Sequence, residues 1–134
     1  MKKAVLEIMV DDMGKSIHWY TEVLGFKQEI ITPENNPVFV SLSNGNVEII
    51  LYNRKEFSEE ITHFKNLKLG GSFALYIMVE NIQMLYDSVK AKTKIIQELH
   101  TTDYGSVEFS LEDPNGYILM FSQTEWYYMV GCIE

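Results

Sequence analysis

One pattern occurs twice in this chain of 134 residues. An apolar run, Ala4 to Val10, leads through a helical spacing to Asn44-Gly45 and a second apolar run, Val47 to Leu51. The order returns with Phe73 to Val79, another helical spacing, Asn115-Gly116 and Tyr117 to Phe121. Val10 and Val79 stand 69 residues apart, and the two Asn-Gly pairs 71 apart. So long a unit, present only twice, indicates a duplicated supersecondary element rather than a solenoid. Two such units placed together leave a cleft between them, where a ligand would sit.

Composition narrows the partners. Apolar residues make up 46% and charged residues 22%, ordinary for a globular chain in water, and no apolar stretch approaches the roughly 20 residues of a membrane helix. The net charge of −8 opposes nucleic acid and anionic membrane surfaces, and admits a cationic ligand. Met1-Lys2-Lys3 runs straight into a strand pattern without a signal-peptide core, and the single cysteine, Cys132, has no internal disulfide partner. Both lead to a cytoplasmic expectation.

Each half reads as β-α-β-β-β. Asp11-Asp12 caps a helix from about Met13 to Leu24, with Ile17, Tyr20, Val23 and Leu24 on one face and Gly25 behind it. Strands follow at Phe26 to Ile31, Val38 to Leu42 and Val47 to Tyr52, the last two joined by an Asn-Gly hairpin. In the second half, Asn81 caps a helix whose apolar face is Ile82, Leu85, Tyr86 and Val89. Strands at Lys94 to Leu99, Val107 to Leu111 and Tyr117 to Ser122 complete it. The predicted organisation is a first module over 1–52, a linker over 53–71, a second module over 72–124 and an apolar tail over 125–134. The linker carries a solvated charge run and room for a short helix at Phe57 to Phe64. The tail, with Trp126, Tyr127, Tyr128 and Met129, is suited to docking, and a homodimer is expected from it.

Ser16-Ile17-His18-Trp19-Tyr20 with Leu24-Gly25-Phe26, and Glu112-Asp113-Pro114-Asn115-Gly116-Tyr117, resemble motifs of the vicinal oxygen chelate superfamily. That superfamily includes glyoxalase I, extradiol dioxygenases and bleomycin-resistance proteins, and the resemblance covers about residues 1–124. It implies an α+β fold of tandem βαβββ modules, whose curved mixed sheets form a cup with the helices outside. Metal-dependent members carry His, Gln or Glu in the first and last strand of each module. Aligned on Val10, Val79 and the Asp-Pro-Asn-Gly turn, those positions fall on Val5, Ala74 and Met120, and the fourth on Glu48. One carboxylate does not fix a divalent ion. No cofactor is therefore expected, and a divalent metal is unsupported at Val5, Ala74 and Met120.

Period-2 alternation from these positions predicts what would line the cup. Val5 brings Glu7 and Met9; Glu48 brings Ile50 and Tyr52; Ala74 brings Tyr76 and Met78; Met120 brings Ile118 and Ser122. Glu108 and Ser110 follow if Val107, Phe109 and Leu111 face the helices. The candidate ligand-binding residues are thus Glu7, Met9, Glu48, Tyr52, Tyr76, Glu108, Ser110 and Met120. Against this stands a plainer reading: Glu7 and Glu48 on solvent-facing strand positions, Glu108 on the surface, the Met and Tyr side chains as packing. Three carboxylates sharing a cavity would call for a cation, since a buried ionised carboxylate is costly alone. His18, His63 and His100 do not cluster, and no nucleophile elbow, phosphate loop or zinc spacing occurs. The expected function is a metal-free protein binding a small cationic or aromatic ligand. The rivals are a divergent metal-dependent lyase, isomerase or dioxygenase built on Glu48, and a sensing or interaction module using the tail.

Overall fold

The two halves of the chain follow one construction order in the computed structural model, which describes residues 1–124. They form two units that divide between Gly71 and Ser72. The first holds β1 (Leu6–Val10), α1 (Met13–Glu22), β2 (Lys27–Thr32), β3 (Phe39–Asn44), β4 (Val47–Asn53) and α2 (Arg54–Glu60), then a 3-10 turn at Thr62–Phe64. The second holds β5 (Ala74–Met78), α3 (Ile82–Val89), β6 (Lys94–Thr101), β7 (Val107–Glu112) and β8 (Ile118–Gln123). Each has a four-stranded mixed sheet, in the orders β1-β4-β3-β2 and β5-β8-β7-β6. The first strand pairs in parallel with the last, and the other pairings are antiparallel. This is an α+β architecture of duplicated βαβββ modules.

Local chemistry sets the boundaries. The Asp12 carboxylate accepts the Lys15 amide at 3.0 Å, satisfying one of the orphan donors at the start of α1. Asn81 does the same for α3 through the Met84 amide. Gly45 and Gly116 take φ of 58° and 91° in their Asn-Gly turns, a region that side chains with a Cβ resist. In the second turn the Asp113 side chain accepts the amides of Asn115 and Tyr117 at 2.8 and 2.9 Å, which pins the start of β8.

One face of each sheet packs on its helix. Ile8, Val10, Val40, Leu42, Ile49 and Leu51 are buried in the first unit with Tyr20, Leu24 and Phe26. Ile77, Phe109, Leu111, Leu119 and Phe121 are buried in the second with Ile82 and Val89. Tyr86 of α3 meets Phe109 edge-on at 5.1 Å, which identifies the helix-covered face of that sheet. Each such side chain contributes about 1.5–3 kcal/mol by leaving water.

The helix stripe differs from the predicted one. Met13, Ser16, Trp19 and Tyr20 are the buried positions of α1, while Ile17 is only half-buried. The Trp19 and Tyr20 rings meet edge-on at 4.8 Å, and that pair draws the buried face toward Trp19. Phe26 lies before β2 rather than in it, buried against Tyr20 at 5.7 Å. Phe73 lies before β5, against Tyr117 at 5.7 Å. The predicted linker also reads differently. Asn53 caps α2 through the Lys55 amide, and the helix starts at Arg54 rather than Phe57. The segment belongs to the first unit: Phe57 is 4% exposed and packs on Tyr52 at 5.3 Å and Phe64 at 4.8 Å. Arg54 donates to both Asp11 oxygens and, at 3.0 Å, to the Leu67 carbonyl, tying the segment to the end of β1. The docking residues expected at Trp126 to Met129 lie outside the described residues.

Candidate functional site

The face of each sheet turned away from its helix carries the candidate residues, because side chains alternate and paired residues point the same way. In the first sheet, Glu7 pairs with Ile50 and Met9 with Tyr52, while Ser43 pairs with Glu48. Glu7, Met9, Glu48 and Tyr52 therefore share one face. In the second, Tyr76 and Ser110 both pair with Met120, and Glu108 pairs with Ser122. Tyr76, Glu108, Ser110 and Met120 share the other.

The open face of the first unit is divided. At one end Tyr52 meets Phe39 and Phe57 edge-on, at 5.6 and 5.3 Å, and its hydroxyl donates to Glu60 Oε2 at 2.6 Å. That hydrogen bond, first among several acidic influences, pushes the Tyr52 phenol up to about 12. Glu7 is raised by burial and then by the Glu60 charge. At the other end lies a groove of about 590 Å³ lined by Val5, Ile30, Phe39, Ser41, Glu48 and Ile50, among others. Glu48 is held there by Lys3 at 2.6 Å. A larger hollow of about 800 Å³ flanks α1, reaching Asp11, His18, Glu22 and Glu56. It contains none of the candidate residues and no aromatic side chain except the His18 ring.

The second face is organised around Glu108, which is 3% exposed. Tyr76 Oη and Ser106 Oγ each donate to its Oε2 at 2.9 Å, and Tyr104 Oη to its Oε1 at 2.9 Å. Burial pushes the carboxyl up, but the hydroxyls of Tyr104, Tyr76, Ser106 and Ser122 outweigh it and the net direction is down. The loop supplying two donors is itself braced: the Ser106 amide donates to Thr102 Oγ1 at 3.1 Å and the Thr102 amide to the Ser106 carbonyl at 2.8 Å.

The surface reading of Glu108 is thereby corrected. Glu7 is exposed, Glu48 is half-buried and ion-paired, and only Glu108 is buried. His100 lies near the end of β6, paired with Glu108 across the strands. Tyr104, Ser106 and Glu60 were not singled out by strand alternation because none of them is on a strand. The nearest signal was Gly105, whose φ of 88° makes the tight turn that returns Tyr104 over Glu108.

The family's metal positions can be tested against these side chains. Val5 lines the groove beside Glu48, and Ala74 and Met120 lie on the open face of the second sheet. A hydrocarbon, a methyl and a thioether are not ligands for a hard divalent ion. Among the described residues, no group of three or more His, Cys, Asp or Glu side chains is placed to hold a metal ion. The donor set does not fit the family's metal.

Duplicated βαβββ modules with open sheet faces define a class of scaffold. The model of the Glyoxalase/Bleomycin resistance protein/Dioxygenase superfamily matches residues 4–121, and the chain belongs to that superfamily. Solved structures agree in fold. A protein of unknown function from Agrobacterium tumefaciens is 19% identical with a TM-score of 0.77, covering 93% of this chain and 95% of its own. A glyoxalase/bleomycin resistance protein/dioxygenase family enzyme from Burkholderia phytofirmans is 20% identical with a TM-score of 0.74, covering 90% and 97%. TioX from Micromonospora is 16% identical with a TM-score of 0.73, covering 92% and 98%. Comparison with curated proteins finds no match.

Proposed function

We propose that this chain binds a small aromatic or cationic molecule on its open sheet faces without the metal chelation usual in its superfamily. The observation that supports this reading is the replacement of metal donors by apolar groups, Val5, Ala74 and Met120, on faces that also carry the half-buried Tyr52 and the exposed Tyr76 and Met78, while Met9, expected on the same face, is buried at 4% exposure. Polarisable and aromatic side chains on an exposed surface suit a flat organic ligand. Holding such a molecule requires no chemical step, and no general base is needed: the most buried carboxylate, Glu108, is held toward its ionised, weakly basic form. The reading includes a cytoplasmic location and a homodimer. Among the described residues, no helix is long and apolar enough to cross a membrane.

Titration of chelator-treated protein with 1-naphthol, a neutral two-ring probe, tests the proposal. Saturable one-to-one binding in excess EDTA, weakened by Met120→Asp, is the expected result. Binding that appears only when Ni, Zn, Mn or Fe is restored would replace this reading with a metalloenzyme. For the dimer, a chain ending at Thr124 that keeps the size of the full chain would show that the tail is not the interface.

A further inference from the structure

Glu108 is a buried anion without a cation. No Lys, Arg or His pairs with it among the described residues, and residues 125–134 contain none of the three. His100, its cross-strand neighbour, directs Nδ1 to the Glu98 carbonyl at 2.7 Å instead. Lys94, on the same strand, is taken by Glu112 at 2.9 Å. Hydroxyl dipoles hold the charge in place, and they do not cancel it.

The acceptor sites of the carboxylate are largely occupied. Oε2 takes Tyr76 and Ser106, and Oε1 takes Tyr104. A carboxylate has about four lone-pair sites, so little capacity remains for a guanidinium or a primary ammonium, whose several N–H groups each need an acceptor. A hard metal ion fares worse, because it requires several oxygens in direct contact. The two phenols stand between the carboxylate and solvent. Glu108 is 3% exposed, whereas Tyr76 is 43% and Tyr104 58% exposed. Donating a hydrogen bond to an anion enriches a phenol ring in electron density and strengthens its attraction for a cation. Burial, and then the adjacent carboxylate, push the Tyr76 phenol up, so the proton needed for that donation stays in place.

Resting on the binding reading above, we infer that Tyr76, Tyr104 and Glu108 form a site for a quaternary or fully alkylated ammonium group. The ligand's charge lies on the phenol rings, with Glu108 as the counter-charge behind them. An alkylated ammonium spreads its charge over methyl groups and has few or no N–H groups to satisfy, so ring faces and a second-layer anion suffice. Met78, exposed on the same strand face as Tyr76, offers a further polarisable contact for methyl groups.

The test compares choline with 3,3-dimethyl-1-butanol, its uncharged counterpart of the same shape, by calorimetric titration of the chelator-treated full chain. Choline should bind at least about tenfold tighter, and methylguanidinium should bind more weakly than choline. Glu108→Gln should bring the choline-to-alcohol ratio close to one. Tyr76→Phe keeps a ring and should retain most of the preference, while Tyr104→Leu should lose it. Should Glu108→Gln fail to fold, the two tyrosine variants carry the test. Equal binding of choline and the alcohol, or a preference unchanged in Glu108→Gln or Tyr104→Leu, overturns the inference. If 1-naphthol binds and choline does not, the ammonium site falls and the wider binding reading stands. If neither binds, both fall.

Discussion

At Glu108, burial and hydrogen bonding pull the proton affinity in opposite directions, and hydrogen bonding wins. A carboxylate whose folded pKa lies below its unfolded value adds stability above the ordinary range, near about 4.3, and loses it as pH falls through the folded value. Urea melts of Glu108→Gln should therefore show a loss of about 1–3 kcal/mol at pH 7, since hydroxyl donors are left facing an amide. The difference from wild type should shrink below about pH 4. Glu7 has the opposite sign. Its folded pKa is raised, so the native state holds the proton more tightly, and stability falls as pH rises from the ordinary carboxyl range through the raised value. Glu7→Gln should remove that decline, visible as a flatter dependence of the urea midpoint on pH just above the ordinary range. Which residues occupy the open faces was legible from alternation alone. Which of them is buried was not, because burial of Glu108 depends on Tyr104 and Ser106 folding back from a loop.

The helices and turns follow local chemistry closely. Asp12 and Asn81 cap α1 and α3 where the residues after them become periodic, and Asp12→Ala should lower stability by about 1 kcal/mol in a thermal or urea melt. Element ends moved by a residue or two where tertiary contact took over, as at Phe26 and Phe73, whose rings serve Tyr20 and Tyr117 rather than a strand. The segment after β4 packs more closely than its charges alone suggest. Its charges, among them Arg54, Lys55, Glu56, Glu59 and Glu60, dominate any periodicity and read as a solvated linker. One buried ring, Phe57, binds it to the open face of the first sheet. Phe57→Ala should lower stability by about 3–5 kcal/mol and expose Tyr52 to solvent, which near-ultraviolet circular dichroism would register.

For the molecule as a whole, the duplicated pattern determined the architecture: two βαβββ modules, their caps, their hairpins and the face each side chain takes. Periodicity of 2 or 3.6 and the φ demands of Asn-Gly turns are local properties, readable residue by residue. The resemblance puts the superfamily's metal positions on Val5, Ala74 and Met120, and on the proposed metal-free reading prolonged chelation should leave the thermal midpoint and 1-naphthol binding unchanged. Tertiary structure alone decided the electrostatics of the faces. Whether a carboxylate is paired, exposed or sealed behind hydroxyls depends on groups distant in sequence: Lys3 on Glu48, Glu60 near Glu7, Tyr76 on Glu108. Spacing along a strand carries no information about charges brought from another element, and those charges set what each face can bind.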